Sequence, residues 1–371
     1  MNTLHQPTVL TPDALHQAAL RLKKLNNLRP RDIAEQLQVS ECEIVSSRCG
    51  LTHDELGSVK RLQCTPTSRK AMFEQFPKLG KIMSMTRNDS AVHERKGIFE
   101  SVRVGEQMGL ILGNDIDLRL IFKNWAYAFS VTDVSETRTL NSIQFFDPYG
   151  QAVYKLYAVD QTNMDEWHTL IQKFLDEHQD AGEEVLPLDE EADEPKTSNS
   201  SFDVAQFQND WQQLTDVHQF HPMLKRHGIS RIDAMNHAPQ GSVTEVRVDC
   251  ALELLNRAQA QTLPIMIFVG NRGCVQIHTG PIERIVQAKG WLNILDPDFN
   301  LHLKENHLHS AWVVRRPSTE GVITCIDFFD AQNNLIMSTF GKRIPLEPEM
   351  PEWQALAESL ASDFAKIGQV A

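Results

Sequence analysis

The stretch TDVHQFHPMLKRHG, residues 215–228, carries three histidines, at positions 218, 221 and 227. Neutral imidazole is a common ligand for transition metals, and two rings three residues apart can face one target. Pro222 disfavours helical geometry at His221, so a new helix is expected to start at the proline. His227 falls half a helical turn out of phase with His218 and precedes Gly228 near an expected helix end. A capping role there is sufficient to account for it. No cysteine or carboxylate stands nearby at a recognised zinc spacing. Spacing alone therefore leaves two readings open, a surface or core cluster and a ligand site. In the second, His218 is the better ligand and His221 its partner or substitute.

A second chemical signal is Arg119, inside DIDLRL at 115–120. An arginine among strand apolars is costly to bury unless it meets an anion or a bound ligand, and the plain alternative is a rim-exposed side chain. Two further motifs carry less. The glycines of FVGNRG at 268–273 lack both phosphate-loop patterns and read as a hairpin turn. RDIAEQLQVSECEIVSS at 31–47 has a helix–turn–helix cadence, but its second helix offers Glu41 and Glu43 where a DNA reader needs basic residues. KRHGISRIDAM at 225–235 has the same cadence, so a duplicated helix pair explains both.

These residues must be positioned by a chain of 371 amino acids, a length that favours two domains. Hydrophobic residues make up 41% and charged residues 23%, as in a soluble globular protein. No apolar run approaches the roughly 18 residues that span a bilayer, and the N-terminus lacks the pattern of a signal peptide. Six scattered cysteines suit reduced thiols in a cytoplasm. A net charge of −13 argues against non-specific binding to nucleic acid or anionic lipid. Residues 183–201, EEVLPLDEEADEPKTSNSS, read as an acidic flexible linker between a first domain at 1–182 and a second at 202–371.

The two parts read as copies. Sliding residues 82–147 forward by 183 positions aligns at least fifteen identical pairs of sixty-six, including IQFFD with IDFFD. Chance would give roughly four, so this is a duplicated domain rather than a solenoid. Short apolar runs separated by turn residues fill each copy, and helical patterns bracket them at 12–25, 31–48, 165–178, 203–218 and 351–367. The expected fold is α+β: a tandem duplication of a domain with a large antiparallel β-sheet flanked by helices. The histidine cluster has no counterpart in the first copy, which marks it as a place where function can depart from scaffold.

Taken together, TDVHQF, LKRH, FVGNRGCVQIHTG, KGWLNI, DLRL, AVHE and SIQFFD resemble the bacterial haemin-degrading and haem-transport proteins of the HemS/ChuS/PhuS type. The resemblance runs from about residue 20 to 365 and includes the repeat. It implies a haem (iron protoporphyrin IX) held in a cleft between the two halves. By the same resemblance His218 matches the axial iron ligand of the DVH motif, and His221 a second histidine that serves as an alternative axial ligand during transfer. Arg119 matches a distal arginine facing the iron and is the expected catalytic residue. Arg231 and Arg316 match residues that pair with the haem propionates, Arg316 standing where lysine is usual. Phe268 matches a pocket phenylalanine. Three positions depart from the pattern: Phe340 replaces a tyrosine, Ser338 a glutamine, and Ile121 an aromatic, with Phe122 one place later.

The function expected from the resemblance is a cytoplasmic protein that accepts imported haem and oxidatively opens its ring, releasing iron. It would act as a haem oxygenase-like monooxygenase supplied with O2 and an external electron donor. An inner-membrane haem importer, a reductase or a separate haem oxygenase are the partners this implies; nucleic acid and membrane insertion are not expected. The alternative is a non-catalytic haem chaperone or storage protein, with His218 and His221 as a relay. A DNA-associated regulator acting through 31–47 is a third reading.

Overall fold

The computed structural model describes residues 10–26, 28–52, 54–187, 202–344 and 346–366. They form two compact units. Unit 1 holds the described residues up to Met85, with 96–187 and 272–274; unit 2 holds 86–95, 202–271 and 275–366. Most of the expected acidic linker, 188–201, lies outside the described residues. Residues 183–187 run along unit 1, where Glu183 pairs with Arg61 at 2.8 Å and the Tyr127 hydroxyl donates to the Glu184 carbonyl at 2.7 Å.

In chain order the first half runs α1 (Pro12–Asn26), α2 (Pro30–Leu37), α3 (Glu41–Ser46), β1 (Gly57–Leu62), α4 (Pro66–Phe73), β2 (Gly80–Arg87) and β3 (Ala91–Gly97). It continues through β4 (Ser101–Val104), β5 (Gly109–Leu112), β6 (Asp117–Leu120), β7 (Tyr127–Val134), β8 (Thr139–Phe146), β9 (Ala152–Thr162) and α5 (Met164–Lys173). The second half repeats that order with α6 (Val204–Gln212), α7 (Phe220–His227), α8 (Arg231–Asn236), β10 (Val243–Val246), α9 (Cys250–Ala260), β11 (Ile265–Gly270) and β12 (Cys274–Gly280). Then follow β13 (Ile285–Ala288), β14 (Trp291–Leu295), β15 (Phe299–Lys304), β16 (Ser310–Ser318), β17 (Gly321–Phe329), β18 (Leu335–Gly341) and α10 (Pro351–Asp363).

In unit 1 the strand order is β1–β7–β8–β9–β2, and β4, β5 and β6 form a meander. In unit 2 it is β10–β16–β17–β18–β11–β12, and a second run is β3–β15–β14–β13. The registers of β1, β7, β8, β9 and β2 in unit 1 and of β10, β16, β17, β18, β11 and β12 in unit 2 are antiparallel, so the expected α+β architecture with large antiparallel sheets is the one found.

Local chemistry explains the breaks. The 31–48 helical pattern is two helices, because Gln38 takes a left-handed φ of 55° and Ser40 then caps α3 in a reciprocal box with Glu43. The period-2 alternation of the strands gives each sheet two differently packed faces. In unit 2, Ile267, Val313, Ile326 and Phe328 turn toward α9 and α10, while Trp312, Val314 and Cys325 join a cluster with Phe207, Trp211 and Phe220 of α6 and α7. Unit 1 fills its main core with Phe73, Phe76, Phe122, Trp125, Phe145 and Tyr154. Helices α4 and α9 were not read from the sequence. Among the described residues, no helix is long and apolar enough to cross a membrane.

One core feature of unit 2 is polar. His93 and His278 are buried, His278 stacks on Phe299 with centroids 3.8 Å apart, and His93 tilts against the same ring at 5.0 Å. No described group meets any of their four ring nitrogens with hydrogen-bond geometry. Desolvation, followed by repulsion from Arg95, depresses the His278 pKa to about 3; desolvation, then His278 and Arg95, lowers that of His93 well below the usual range. Both rings are thus neutral in the fold, while an unfolded chain protonates them near pH 6.5. Stability is therefore expected to fall as pH drops from about 6.5 toward 3, by up to about 1.4 kcal/mol per pH unit per histidine. His278→Phe should flatten that slope by one proton. Urea midpoints at pH 7, 5.5 and 4.5 check it, and an unchanged slope in the variant would refute it.

Candidate functional site

His218 sits in a single 3-10 turn, Val217–Gln219, that the local sequence builds for itself. Gln219 folds back so that its side-chain oxygen accepts from the Thr215 and Asp216 amides at 2.9 and 3.3 Å. Asp216 caps the turn: its Oδ1 accepts from the His218 backbone N–H at 2.7 Å and meets His218 Nδ1 at 2.6 Å. These contacts, the backbone one first, hold the Asp216 carboxyl below its usual pKa, so it is an acceptor. Nδ1 must then carry the proton, leaving the lone pair on Nε2. The side chain is 86% exposed. This is the carboxylate-oriented imidazole that metal coordination calls for.

The helix expected to start at Pro222 starts at Phe220 instead. Pro222 falls in the first turn of α7, where a missing N–H costs nothing. His221 therefore has helical geometry and lies exposed one turn on from His218. His227 is set apart, its Nε2 paired with Asp210 at 2.9 Å.

The remaining second-half residues converge on one face of the unit 2 sheet. Arg316 on β16, Cys325 and Asp327 on β17, Ser338 and Phe340 on β18, and Phe268 on β11 share that face through the registers Asp327↔Ser338, Cys325↔Phe340 and Phe268↔Ser338. Helix α8 adds Arg231 at its first position, after a Ser230–Asp233 capping box. Phe220, at the start of α7, lies under both cations: the guanidinium carbons of Arg316 and Arg231 are 4.8 and 5.5 Å from its ring centre. Arg316 also lies 5.6 Å from Phe340, which packs on Phe268 at 5.0 Å.

The electrostatics of this face are unbalanced. Asp327, fully buried, accepts from Arg231 Nε at 2.9 Å and from the Ser338 hydroxyl at 2.5 Å. Arg316, only 3% exposed, donates to the Cys325 sulfur at 3.0 Å, and its Nε has no partner. Burial pushes the Cys325 thiol up to about 12 despite the nearby arginine, so the sulfur is neutral. Arg316 thus has no carboxylate partner of its own among the described residues, while Arg231 engages Asp327. A buried arginine without a counter-ion is costly, and a ligand carboxylate would supply what is missing.

Unit 1 carries the same scaffold with the charges closed. The positions corresponding to Asp327, Ser338 and Arg316 are Gln144, Lys155 and Asp133. Lys155 pairs with Glu41, the first residue of α3, at 2.5 Å with both side chains buried, and Asp133 pairs with Arg48 at 2.8 Å.

Arg119 lies in unit 1, on β6, with its side chain 37% exposed and ion-paired to Asp117. Phe122 is fully buried in the unit 1 core against Phe73 and Trp125, so it is no stand-in for the aromatic missing at Ile121. Two cavities lie elsewhere: about 320 Å³ in unit 2 beside His278 and Phe299, and about 250 Å³ in unit 1 beside Arg61 and Glu183. Neither is lined by the residues above. Asp216, Phe220, Cys325 and Asp327 were not read from the sequence. The one available signal was the change from IQFFD to IDFFD, which puts an acid at a strand position surrounded by apolars and so demands a cation.

Residues 38–174 and 228–360 each match the model of the Haemin-degrading HemS.ChuX domain. The chain belongs to that family. It is 35% identical over 338 residues to the hemin transport protein HmuS of Yersinia pestis, spanning 90% of this chain and 94% of the relative. The crystal structure of holo-PhuS, a heme-binding protein from Pseudomonas aeruginosa, superposes with a TM-score of 0.89 at 37% identity, covering 95% of this chain and 99% of that one. The heme-degrading enzyme ChuS of Escherichia coli O157:H7 gives 0.86 at 33% identity, covering 94% and 99%.

The closed pair of unit 1 generates a prediction. Removing one partner of a buried ion pair costs about 3–5 kcal/mol, whereas an apolar replacement of both is near neutral. Glu41→Ala should destabilise unit 1 by that order, and Glu41→Leu with Lys155→Met should restore most of the loss. Denaturant unfolding of both variants is the measurement.

Proposed function

We propose that this protein binds haem through its second half and opens the porphyrin oxidatively in haem utilisation, releasing iron. Haem is substrate and cargo here. The observation that carries the reading is Arg316, buried beside Arg231 on an aromatic-lined face and lacking any carboxylate partner among the described residues. A planar, apolar ring with pendant carboxylates satisfies both demands of that face. His218, with Nε2 left to ligate by its bond to Asp216, is the proposed axial ligand. His221 is its substitute, and Phe268 and Phe340 are proposed to contact the ring. Membership of a haemin-degrading family supports the same reading.

Ring opening consumes O2 and electrons, so a reductase or other external donor is an implied partner, and an inner-membrane haem importer the implied source. Six free cysteines, none in a disulfide, fit a cytoplasmic setting. Arg119 is proposed as the catalytic residue, a guanidinium able to stabilise negative charge developing during ring opening. A carrier that passes haem on intact is the second reading. It is favoured by the exposure of both His218 and His221 on consecutive turns, where a recipient can reach them.

Titration with haemin tests the binding site. His218→Ala should shift the ferric Soret band and weaken retention, and His221→Ala should do less; the reverse ranking would reassign the ligand. Single-turnover tetrapyrrole formation with a reductant, insensitive to catalase, separates enzyme from carrier. With haem saturating, Arg119→Ala should slow it at least about tenfold, equivalent to ~1.4 kcal/mol on the barrier, with the Soret position unchanged. Arg119→Lys should rescue poorly, because a point charge does not reproduce the planar fork. Turnover unaffected in Arg119→Ala removes this residue from the mechanism, and no product from the unaltered protein under any reductant favours the carrier.

A further inference from the structure

Asp327 has no role in the reading above, yet it is a fully buried carboxylate placed among the two arginines of the site face. It accepts from Arg231 Nε at 2.9 Å. It reaches Arg316 only through a relay: Arg316 donates to the Cys325 sulfur at 3.0 Å, and that thiol faces Asp327 Oδ1 at 3.5 Å. Ser338 donates to the same Oδ1 at 2.5 Å. The acid goes together with the arginines: the corresponding residue of unit 1 is the neutral Gln144, where the neighbouring cation Lys155 has its own acid in Glu41.

We infer that Asp327 is the resident counter-anion of the carboxylate site. It is a positioning residue that keeps both guanidinium groups folded and aimed while the site is empty. By sharing their charge, it also holds affinity for an incoming carboxylate below what two arginines alone would give, so that a bound tetrapyrrole can leave. The inference rests on the proposed haem site and adds a release function to it. The physical ground is that charges a few ångströms apart on a buried face interact strongly, so an acid already present weakens the field felt by a second one. Its hydrogen bond from Ser338 moderates the effect by stabilising the Asp327 charge locally.

Asp327→Asn keeps the shape and an acceptor for Arg231 while removing the charge. Release is read by transfer of haemin, and separately of haemin dimethyl ester, to excess apomyoglobin. Haemin is expected to leave the Asn variant at least about fivefold more slowly, the ester at an unchanged rate, and the empty variant to melt below the unaltered protein. Haemin release that is equally fast or faster makes Asp327 a scaffold residue and overturns the inference, as does an equal slowing of the ester. Ser338→Ala strips one hydrogen bond from Oδ1 and tests the same idea should Asp327→Asn fail to fold. It is expected to speed haemin release and leave the ester unaffected, and unchanged haemin release overturns the inference. Failure of the unaltered protein to retain haemin is a different result, because it overturns the haem reading itself before any variant is compared.

Discussion

Placing a buried Arg316 and a partly buried Arg231 beside the buried carboxylate of Asp327 on a sheet face is the constraint around which the candidate site is organised. Ions lose several kcal/mol of hydration on burial, and only close, well-oriented partners recover it. The antiparallel registers meet that requirement by bringing Arg316, Cys325, Asp327 and Ser338 to one side of three adjacent strands, with Arg231 delivered by the first turn of α8. Phe220 and Phe340 lie against the cations, and Phe268 packs on Phe340. The deficit left at Arg316 is a local instability that a ligand carboxylate would relieve, the usual signature of a binding face rather than of a closed core.

The two halves show how one scaffold supports different chemistry. Each begins with helices whose third member opens on a serine capping box, Ser40 with Glu43 and Ser230 with Asp233. The residue after each serine points its charge at the sheet: Glu41 toward Lys155, Arg231 toward Asp327. In unit 1 the cation Lys155 has a buried acid, Glu41, beside it, and Arg48 lies between Asp54 and Asp133. In unit 2 the polarity is inverted and one cation is left over. Inversion of charge at equivalent positions is a small sequence change with a large consequence, because both faces are too buried for solvent to screen it.

Family membership narrows the ligand class without deciding the chemistry, since relatives include both a hemin transport protein and a heme-degrading enzyme. The features that bear on that choice are local. An axial candidate held by its own turn, exposed and oriented by Asp216, suits exchange of a ligand as well as its retention. Arg119 is already neutralised by Asp117, whose own carboxyl is raised by burial and lowered in part by that arginine, so its charge is tempered before any ligand arrives.

The chain alone determined the α+β class, the repetition of one element order and the hairpin turn at FVGNRG, because these depend on short-range periodicity and turn residues. The helical pattern read over 203–218 ends at Gln212 instead, and His218 falls in a separate turn capped by Asp216. Pro222 misled about where α7 starts: a proline is tolerated anywhere in a first turn, so its position bounds a helix start without fixing it. The partners of Arg231 and Arg316 were beyond the sequence. Asp327 is 96 residues from Arg231, and Cys325 became a hydrogen-bond acceptor only when strand pairing carried it beside Arg316. Which charges are matched and which is left over is a question of burial and register across strands. Those are settled by tertiary packing, where desolvation makes each missing partner count.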